Sequence, residues 1–468
     1  MNDFRLLING ELVAGDETMP VYNPATGTVF ATSPRASRAQ LDQAVAAAKS
    51  AFPGWAATDV DTRKAALKAI ADAVTAHAEE LVEVLIAEHG KPRAEAVREI
   101  GGTAGFFRFA TTLDLPTQTW QDADGRNITT ARRPLGPVAA IIPWNFPLLT
   151  VAFKLPSALL AGNTVVVKTS PTTPLTTLLF ARIVAPLLPP GVLNVITDDN
   201  DLGDALTSHP DIRKVTFTGS TATGQRVMGN AVSTLKRLTL ELGGNDAAIV
   251  LGDVKPSEVA PQLFRAAFQN NGQVCLAIKR LYVHDDVYDE ICRELAKLAD
   301  AAVVGEGTED GVTHGPIQNK RQYDKLLALL EVARQDGTVI AGGSALERPG
   351  YFIRPTIVRD INDGSVLVDE EQFGPILPVI SYSDIDEVID RANSSGFALG
   401  ASVWSADPER AADLAWRMDA GTVWVNKHSD IAPHIPFGGA KMSGVGTEFA
   451  QEGLYEFTQL KVINGVAS

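Results

Sequence analysis

The 468-residue chain has only two cysteines, Cys275 and Cys292. That is too few for the disulfide framework of a small secreted scaffold. Its seven histidines form no HxxxH pair and there is no CxxC, so no metal-ligand spacing is present and no metal site is expected. Basic charge is in short supply. With 41 Lys+Arg against 56 Asp+Glu the net charge is −15 and no basic tract occurs, which argues against nucleic acid and anionic membrane surfaces as partners. Glycine (39) and proline (27) are near average, so collagen-like and low-complexity chains are excluded. Long apolar runs are scarce as well. Pro134–Phe153 passes twenty residues without a charge, about the length of a membrane span. It carries Pro134, Pro137, Pro143 and Pro147, and proline inside a helix removes a hydrogen bond and clashes with the preceding turn. The stretch therefore reads as buried strands and turns. Residues 1–10 include Asp3 and Arg5 and no apolar core, so no signal peptide is expected and a cytoplasmic location is.

What is present is an ordinary globular balance, 45% hydrophobic and 21% charged, with length enough for two to four domains or subdomains. Ser37-Arg38-Ala39-Gln40 fits a capping box, and Leu41, Val45 and Ala48 follow at helical spacing. Asp61–His89 reads as a long helical region closed by Gly90 and Pro92. From about residue 135, short apolar strands alternate with helices. Strands are expected at Val138–Ile142, Thr164–Val167, Val192–Ile196, Val215–Thr218, Ala247–Leu251, Arg280–Val283, Ile376–Tyr382, Ala401–Trp404 and Thr422–Val425, and helices at Pro174–Leu188 and Pro256–Asn270. Such alternation predicts parallel sheets covered by helices, and its length predicts two doubly wound α/β domains rather than one.

Several residues invite a chemical reading. Cys275 lies in a Gly-containing turn, Asn271-Gly272-Gln273-Val274-Cys275, where a thiol can serve as a nucleophile; the competing reading is a small buried hydrophobe. Cys292 sits at helical spacing with Leu295 and reads as core. Glu241 stands between leucines at a strand end before Gly243-Gly244, a poorly solvated place that raises a carboxylate toward a general base's range, or else a structural charge. Gly219–Gly224 is a GxxxxG turn between strand and helix, suited to a phosphate or to nothing more than the turn itself. Asn145, between aromatics and prolines in Pro143-Trp144-Asn145-Phe146-Pro147, offers an amide that could stabilise an oxyanion. Lys168 ends a strand, where open α/β sheets bind ligands.

Together, and in order, Pro143–Pro147, Lys168, Phe217-Thr218-Gly219-Ser220, Glu241–Gly244, Gly272–Cys275, Glu370–Pro375 and Pro436–Gly439 resemble the aldehyde dehydrogenase superfamily over nearly the whole chain. The resemblance implies oxidation of an aldehyde to the acid with NAD, or NADP. Cys275 would be the nucleophile, Asn145 with the Cys275 backbone amide the oxyanion site, and Glu241 the base that activates the hydrolytic water. Lys154 and Glu448 match a proton relay to Glu241. Trp144, Lys168, Gly219, Ser220, Glu371 and Phe373 match the cofactor set, with Lys168 on the adenosine ribose, Glu371 on the nicotinamide ribose and Phe373 near the nicotinamide. Phe146, Phe153, Val274, Leu276, His428, Ile431 and Phe437 match the substrate tunnel, whose apolar lining favours a neutral aldehyde. His428 is the polar member that could touch a substrate hydroxyl or carboxylate.

The same resemblance implies a cofactor domain from residues 1–121 and 143–243 and a catalytic domain over 244–427. Residues 428–449 would return to the cofactor domain as a substrate-entrance loop. Segments 122–142 and 450–468 would form a β flap joining a homodimer or homotetramer. Two departures stand out. Pro171 occupies a position where many NAD-preferring members carry a glutamate, and Asn245-Asp246 follow Gly244 where many carry a lysine and a small residue. The competing functions are a coenzyme A-acylating variant, whose members generally lack the glutamate present here as Glu241, and a non-catalytic protein on the same fold.

Overall fold

The computed structural model describes residues 3–465. Its centre is built from strands that are buried on both faces, as parallel strands covered by helices must be. Pro137–Ile141 and Thr164–Lys168 are buried at every position. They belong to an eight-stranded sheet in the order Glu11–Val13, Leu6–Ile8, Leu193–Ile196, Thr164–Lys168, Pro137–Ile141, Lys214–Thr218, Arg237–Glu241, Gly444–Val445. The five strands from Leu193–Ile196 to Arg237–Glu241 run parallel, and the edges are antiparallel. Strand order reverses between Pro137–Ile141 and Lys214–Thr218, the switch point outside which an open α/β sheet forms its ligand crevice.

A second sheet has seven strands: Thr338–Ala341, Thr356–Arg359, Ile376–Tyr382, Ile278–His284, Asp246–Val250, Gly400–Trp404 and Thr422–Val425. All neighbours are parallel except the edge pair Thr338–Ala341 with Thr356–Arg359. The two doubly wound α/β layers expected from the alternation are thus present. Only Leu242–Asn245 separates the last parallel strand of the first sheet from Asp246–Val250 of the second. The carboxyl ends of one sheet are thereby brought to the amino ends of the other.

Three expectations are corrected. The uncharged stretch 134–153 is not all strands and turns, because its second half opens a buried helix, Pro147–Leu160. Pro147 stands at the helix start, where its missing N–H costs nothing, and the helix accommodates Pro156 inside. The long helical region divides at His77 into Val60–Ala76 and Ala78–His89, the second ending on left-handed Gly90. The small sheet also begins and ends earlier than 122–142. Thr458–Gly465, Asn127–Pro134 and Gln118–Gln121 pair antiparallel in that order, whereas Pro137–Ile141 is a central strand of the large sheet. Residues 466–468 of the expected flap lie outside the described residues. Among the described residues no helix is long and apolar enough to cross a membrane.

Candidate active site

The crevice at the switch point holds most of the residues singled out. A cavity of about 470 Å³ is lined by Trp144, Asn145, Lys168, Gly219, Ser220, Cys275, Glu371 and Phe373, among others. These residues come from five distant stretches of chain, and they meet there because each follows or precedes a buried strand.

The Cys275 turn leaves the helix Pro256–Phe268 through three successive left-handed residues, Asn270, Asn271 and Gly272 (φ 51°, 55° and 73°). Gly272 is required, since a Cβ there would lie 2.3 Å from the Gly374 carbonyl oxygen. Side chains then fasten the turn. Asn145 Nδ2 donates to the Gln273 carbonyl at 3.0 Å, while the Asn145 carbonyl accepts from Lys91 Nζ at 3.0 Å and Asn270 Nδ2 at 3.1 Å. Lys91 is itself paired with buried Glu99 at 2.5 Å, and Glu99 Oε1 accepts from the Leu148 and Leu149 amides at the start of the helix Pro147–Leu160. Asn145 is thus rigidly held, and one hydrogen of its amide nitrogen is not used by the Gln273 carbonyl.

Cys275 is half-buried, but desolvation at its sulfur pushes the thiol up to about 12. Lys279 acts against that rise, and Glu241, Glu371 and Asp246 add to it. Cys292 is fully buried in the core, as its spacing predicted. Glu241 closes the strand Arg237–Glu241, is buried, and its Oε1 has no hydrogen-bond partner. Burial raises its carboxyl well above the usual range, Glu448 raises it further, and Lys154 opposes both. Lys154 Nζ lies 2.6 Å from Glu448 Oε1 and 3.2 Å from Thr216 Oγ1, a buried pair beside Glu241.

The residues matched by resemblance to the cofactor set are equally engaged. Lys168 Nζ pairs with buried Asp198 at 2.5 Å, a partner that sequence reasoning missed because the two are thirty residues apart with no motif between them. Ser220 caps the helix Thr221–Ala231 by accepting from the Thr223 amide. Glu371 Oε1 accepts from the Gly244 amide at 3.1 Å, and a Cβ on Gly243 would lie 2.5 Å from Glu371 Oε2, so the glycine pair is what admits this carboxylate. Phe373 adopts φ 54° and its ring meets Trp144 edge-on at 5.3 Å. Gln322 and Lys325 also line the cavity and lacked any sequence signal. Asn245, unexplained at the level of sequence, donates to the Val368 and Asp369 carbonyls at 2.8 and 3.2 Å and so fixes the segment leading to Glu371.

Of the residues matched to the substrate tunnel, Val274, Leu276 and Phe437 share one apolar cluster, with Phe146, Phe153, Ile431 and Cys275 packed against it. Phe106 and Phe449 complete it and were not foreseen. His428 departs from expectation. Its side chain is fully buried, Nε2 donates to the Leu276 carbonyl at 3.1 Å and Nδ1 bonds Ser402 Oγ at 2.9 Å. Both ring nitrogens are taken by the protein, so His428 supports the Cys275 turn from behind rather than contacting substrate. Among the described residues no group of three or more His, Cys, Asp and Glu is placed to hold a metal.

The model of the aldehyde dehydrogenase family matches residues 12–463. The chain belongs to the aldehyde dehydrogenase family. It is 40% identical to the phenylacetaldehyde dehydrogenase of Pseudomonas fluorescens over 476 residues, covering 97% of this chain and 94% of that one. Its structure superposes on the NAD+ complex of aldehyde dehydrogenase from Bacillus cereus with a TM-score of 0.97 at 34% identity, covering 100% of this chain and 97% of the other. It also superposes on an NADP-dependent enzyme of E. coli with a TM-score of 0.95 at 33% identity, covering 99% and 98%. This aldehyde dehydrogenase is an NAD(P)-dependent oxidoreductase that converts aldehydes to acids.

Proposed function

We propose that Cys275 is the nucleophile, Asn145 the oxyanion donor and Glu241 the hydrolytic base of this reaction. The observation that carries the assignment is a thiol and a rigidly held amide in one cavity, with the buried Glu241 carboxylate acting on the thiol from nearby. Cys275 sulfur attacks the aldehyde carbon, and the charge that develops on oxygen is met by Asn145 Nδ2–H and the Cys275 amide. Bound NAD(P) supplies the hydride acceptor. The thioester left on Cys275 is then attacked by a water whose proton passes to Glu241, and the sulfur departs from the acid product. Burial makes Glu241 a stronger base than an exposed carboxylate. The paired Lys154 and Glu448 stand where a proton can pass onward.

Trp144, Lys168, Gly219, Ser220, Glu371 and Phe373 fit a dinucleotide. They offer an ammonium, a helix N-terminus, a carboxylate for ribose hydroxyls and two aromatic faces. NAD is the preferred form in this reading, since no basic residue adjoins Pro171 to hold a 2′-phosphate. The substrate is a neutral aldehyde with an apolar, preferably aromatic, body. Phe106, Phe153, Phe437 and Phe449 support that class, and so does the relative that acts on phenylacetaldehyde. The cofactor domain is the eight-stranded layer and the catalytic domain the seven-stranded one. The small antiparallel sheet exposes Leu460, Val462 and Ile463 and joins subunits of a cytoplasmic homodimer or homotetramer.

The purified protein, incubated with NAD or NADP and a panel of aliphatic, aromatic and carboxylate-bearing aldehydes, should reduce nicotinamide fastest with neutral apolar aldehydes and NAD. Cys275→Ala should abolish the signal, and retained oxidation would end the nucleophile assignment. Added coenzyme A should change neither rate nor product; an acyl-coenzyme A product would instead favour the acylating variant.

A further inference from the structure

Lys279 is the second residue of the strand Ile278–His284, four positions past Cys275, and it is buried, 3% exposed. Its ammonium donates to the Cys275 carbonyl at 2.6 Å and to the Val274 carbonyl at 2.9 Å, and lies 3.5 Å from Glu371 Oε1. Strand alternation sends its neighbour elsewhere: Arg280 donates to the Asn245 and Ala392 carbonyls. A buried ammonium is costly unless it is paired and hydrogen-bonded, and here two carbonyls accept from it and a carboxylate pairs with it. Of these partners two are the carbonyls of Cys275 and of the residue before it, and the third is the carboxylate that lines the cavity.

Charge around the sulfur gives this placement a second consequence. Glu241, Glu371 and Asp246 all lie close enough to oppose a negative sulfur, and Lys279 acts for it. Asp246 is buried with neither carboxylate oxygen hydrogen-bonded, and the His428 Nε2 3.6 Å away is committed to the Leu276 carbonyl. Lys325 neighbours Glu371 but donates to its backbone carbonyl. We propose that Lys279 is a positioning residue for the reaction: it clamps the Val274–Cys275 backbone, ties it to Glu371, and supplies the positive charge that lets the Cys275 sulfur become a thiolate beside three carboxylates. The inference rests on Cys275 being the nucleophile.

The test is the pH dependence of Cys275 alkylation by iodoacetamide in the cofactor-free protein, with the modified residue located by mass spectrometry. Lys279→Gln keeps a donor amide without the charge, Lys279→Met removes both, and Lys279→Arg keeps the charge. Thermal melting confirms that each is folded. The Gln and Met variants should alkylate about tenfold or more slowly at pH 8, with the profile displaced to higher pH, since a one-unit displacement is tenfold in thiolate. Arg should stay nearest to the parent. Dehydrogenase kcat should fall in parallel, and more than KM for the aldehyde rises. A folded Gln variant with the parent's alkylation profile would overturn the proposal; should Met fail to fold, Gln against Arg decides it. Failure of the underlying assignment looks different. Alkylation of Cys275 in the unmodified parent would then leave dehydrogenase activity intact.

Discussion

Two walls meet near Cys275: Lys168, Asn200, Ser220, Arg321 and Glu371 line an open cavity, whereas Phe106, Phe153 and Phe449 pack ring to ring at 4.7–4.9 Å. The first wall is built of charges and capped helix ends, the second of surfaces that offer no hydrogen bond. In the proposed reading the polar wall recognises a charged ligand that comes and goes with each turnover, and one of its cations, Lys168, is paired and prepositioned by Asp198. In the same reading the aromatic wall keeps bulk water from the acyl centre and selects by shape. Glu241 stands where these demands conflict. As the proposed base it must be dry enough to be basic and still receive one water, and burial is what makes it basic.

The strongest way to probe this contrast is Glu241→Gln. The variant should complete one hydride transfer per site and then stall as a thioester, seen as a stoichiometric nicotinamide burst followed by a near-zero steady rate. Loss of the burst would mean that Glu241 also serves the first half-reaction. The raised carboxyl fixes a sign for pH. A general base works only when deprotonated, so deacylation in the unmodified enzyme should increase with pH through a range above that of an ordinary carboxylate, and fall below it. Next in size is Asn145→Ala. Removing an oxyanion donor costs on the order of 2.7–4 kcal/mol, roughly 10²–10³ in kcat. A drop under tenfold would show that the backbone amide suffices.

The polar wall was legible in the sequence because its parts are motifs: a Gly-rich turn after a strand, a carboxylate before two glycines, a cysteine in a turn, an amide between prolines. Each owes its residue type to chemistry or to a close approach, as Gly272 does to the Gly374 carbonyl. What stayed hidden was mostly long-range. Asp198 under Lys168, Lys91 and Glu99 behind Asn145, and Asn245 beneath Val368 are ordinary polar residues until the fold joins them. The aromatic wall was half-legible. Phe153 and Phe437 came through resemblance, but Phe106, in the helix Arg93–Ala110, and Phe449, held at φ 68°, carried no local mark. His428 misled for the same reason, since a histidine in a loop reads alike whether it faces substrate or is spent on Ser402 and Leu276. Among the elements, Pro147–Leu160 was missed because its prolines outweighed its apolar face, although one of them opens the helix.

On the aromatic wall, Phe153→Ala should reduce kcat/KM for an aromatic aldehyde by about 1–3 kcal/mol, the scale of small changes in an apolar pocket, while acetaldehyde changes little. Equal losses on both substrates would mean that Phe153 supports the helix Pro147–Leu160, and through it Lys154 and Asn145, rather than the substrate body.

The smallest effect is expected where the polar wall departs from the family pattern. Pro171 follows Ser170, which lines the cavity, and it offers neither a hydrogen-bond acceptor nor a charge. Pro171→Glu adds a carboxylate beside the site matched to the adenosine ribose. Against a ribose hydroxyl it can accept a hydrogen bond; against a 2′-phosphate it repels, by an amount that salt screens because the position is half-exposed. The NAD-to-NADP ratio of kcat/KM should therefore rise about tenfold, some 1.4 kcal/mol, with most of the change in the NADP term and a smaller change at high salt. If NAD and NADP fall together, residue 171 lies away from the ribose, and the nucleotide preference must come from Lys168, Ser170 and Asn200 instead.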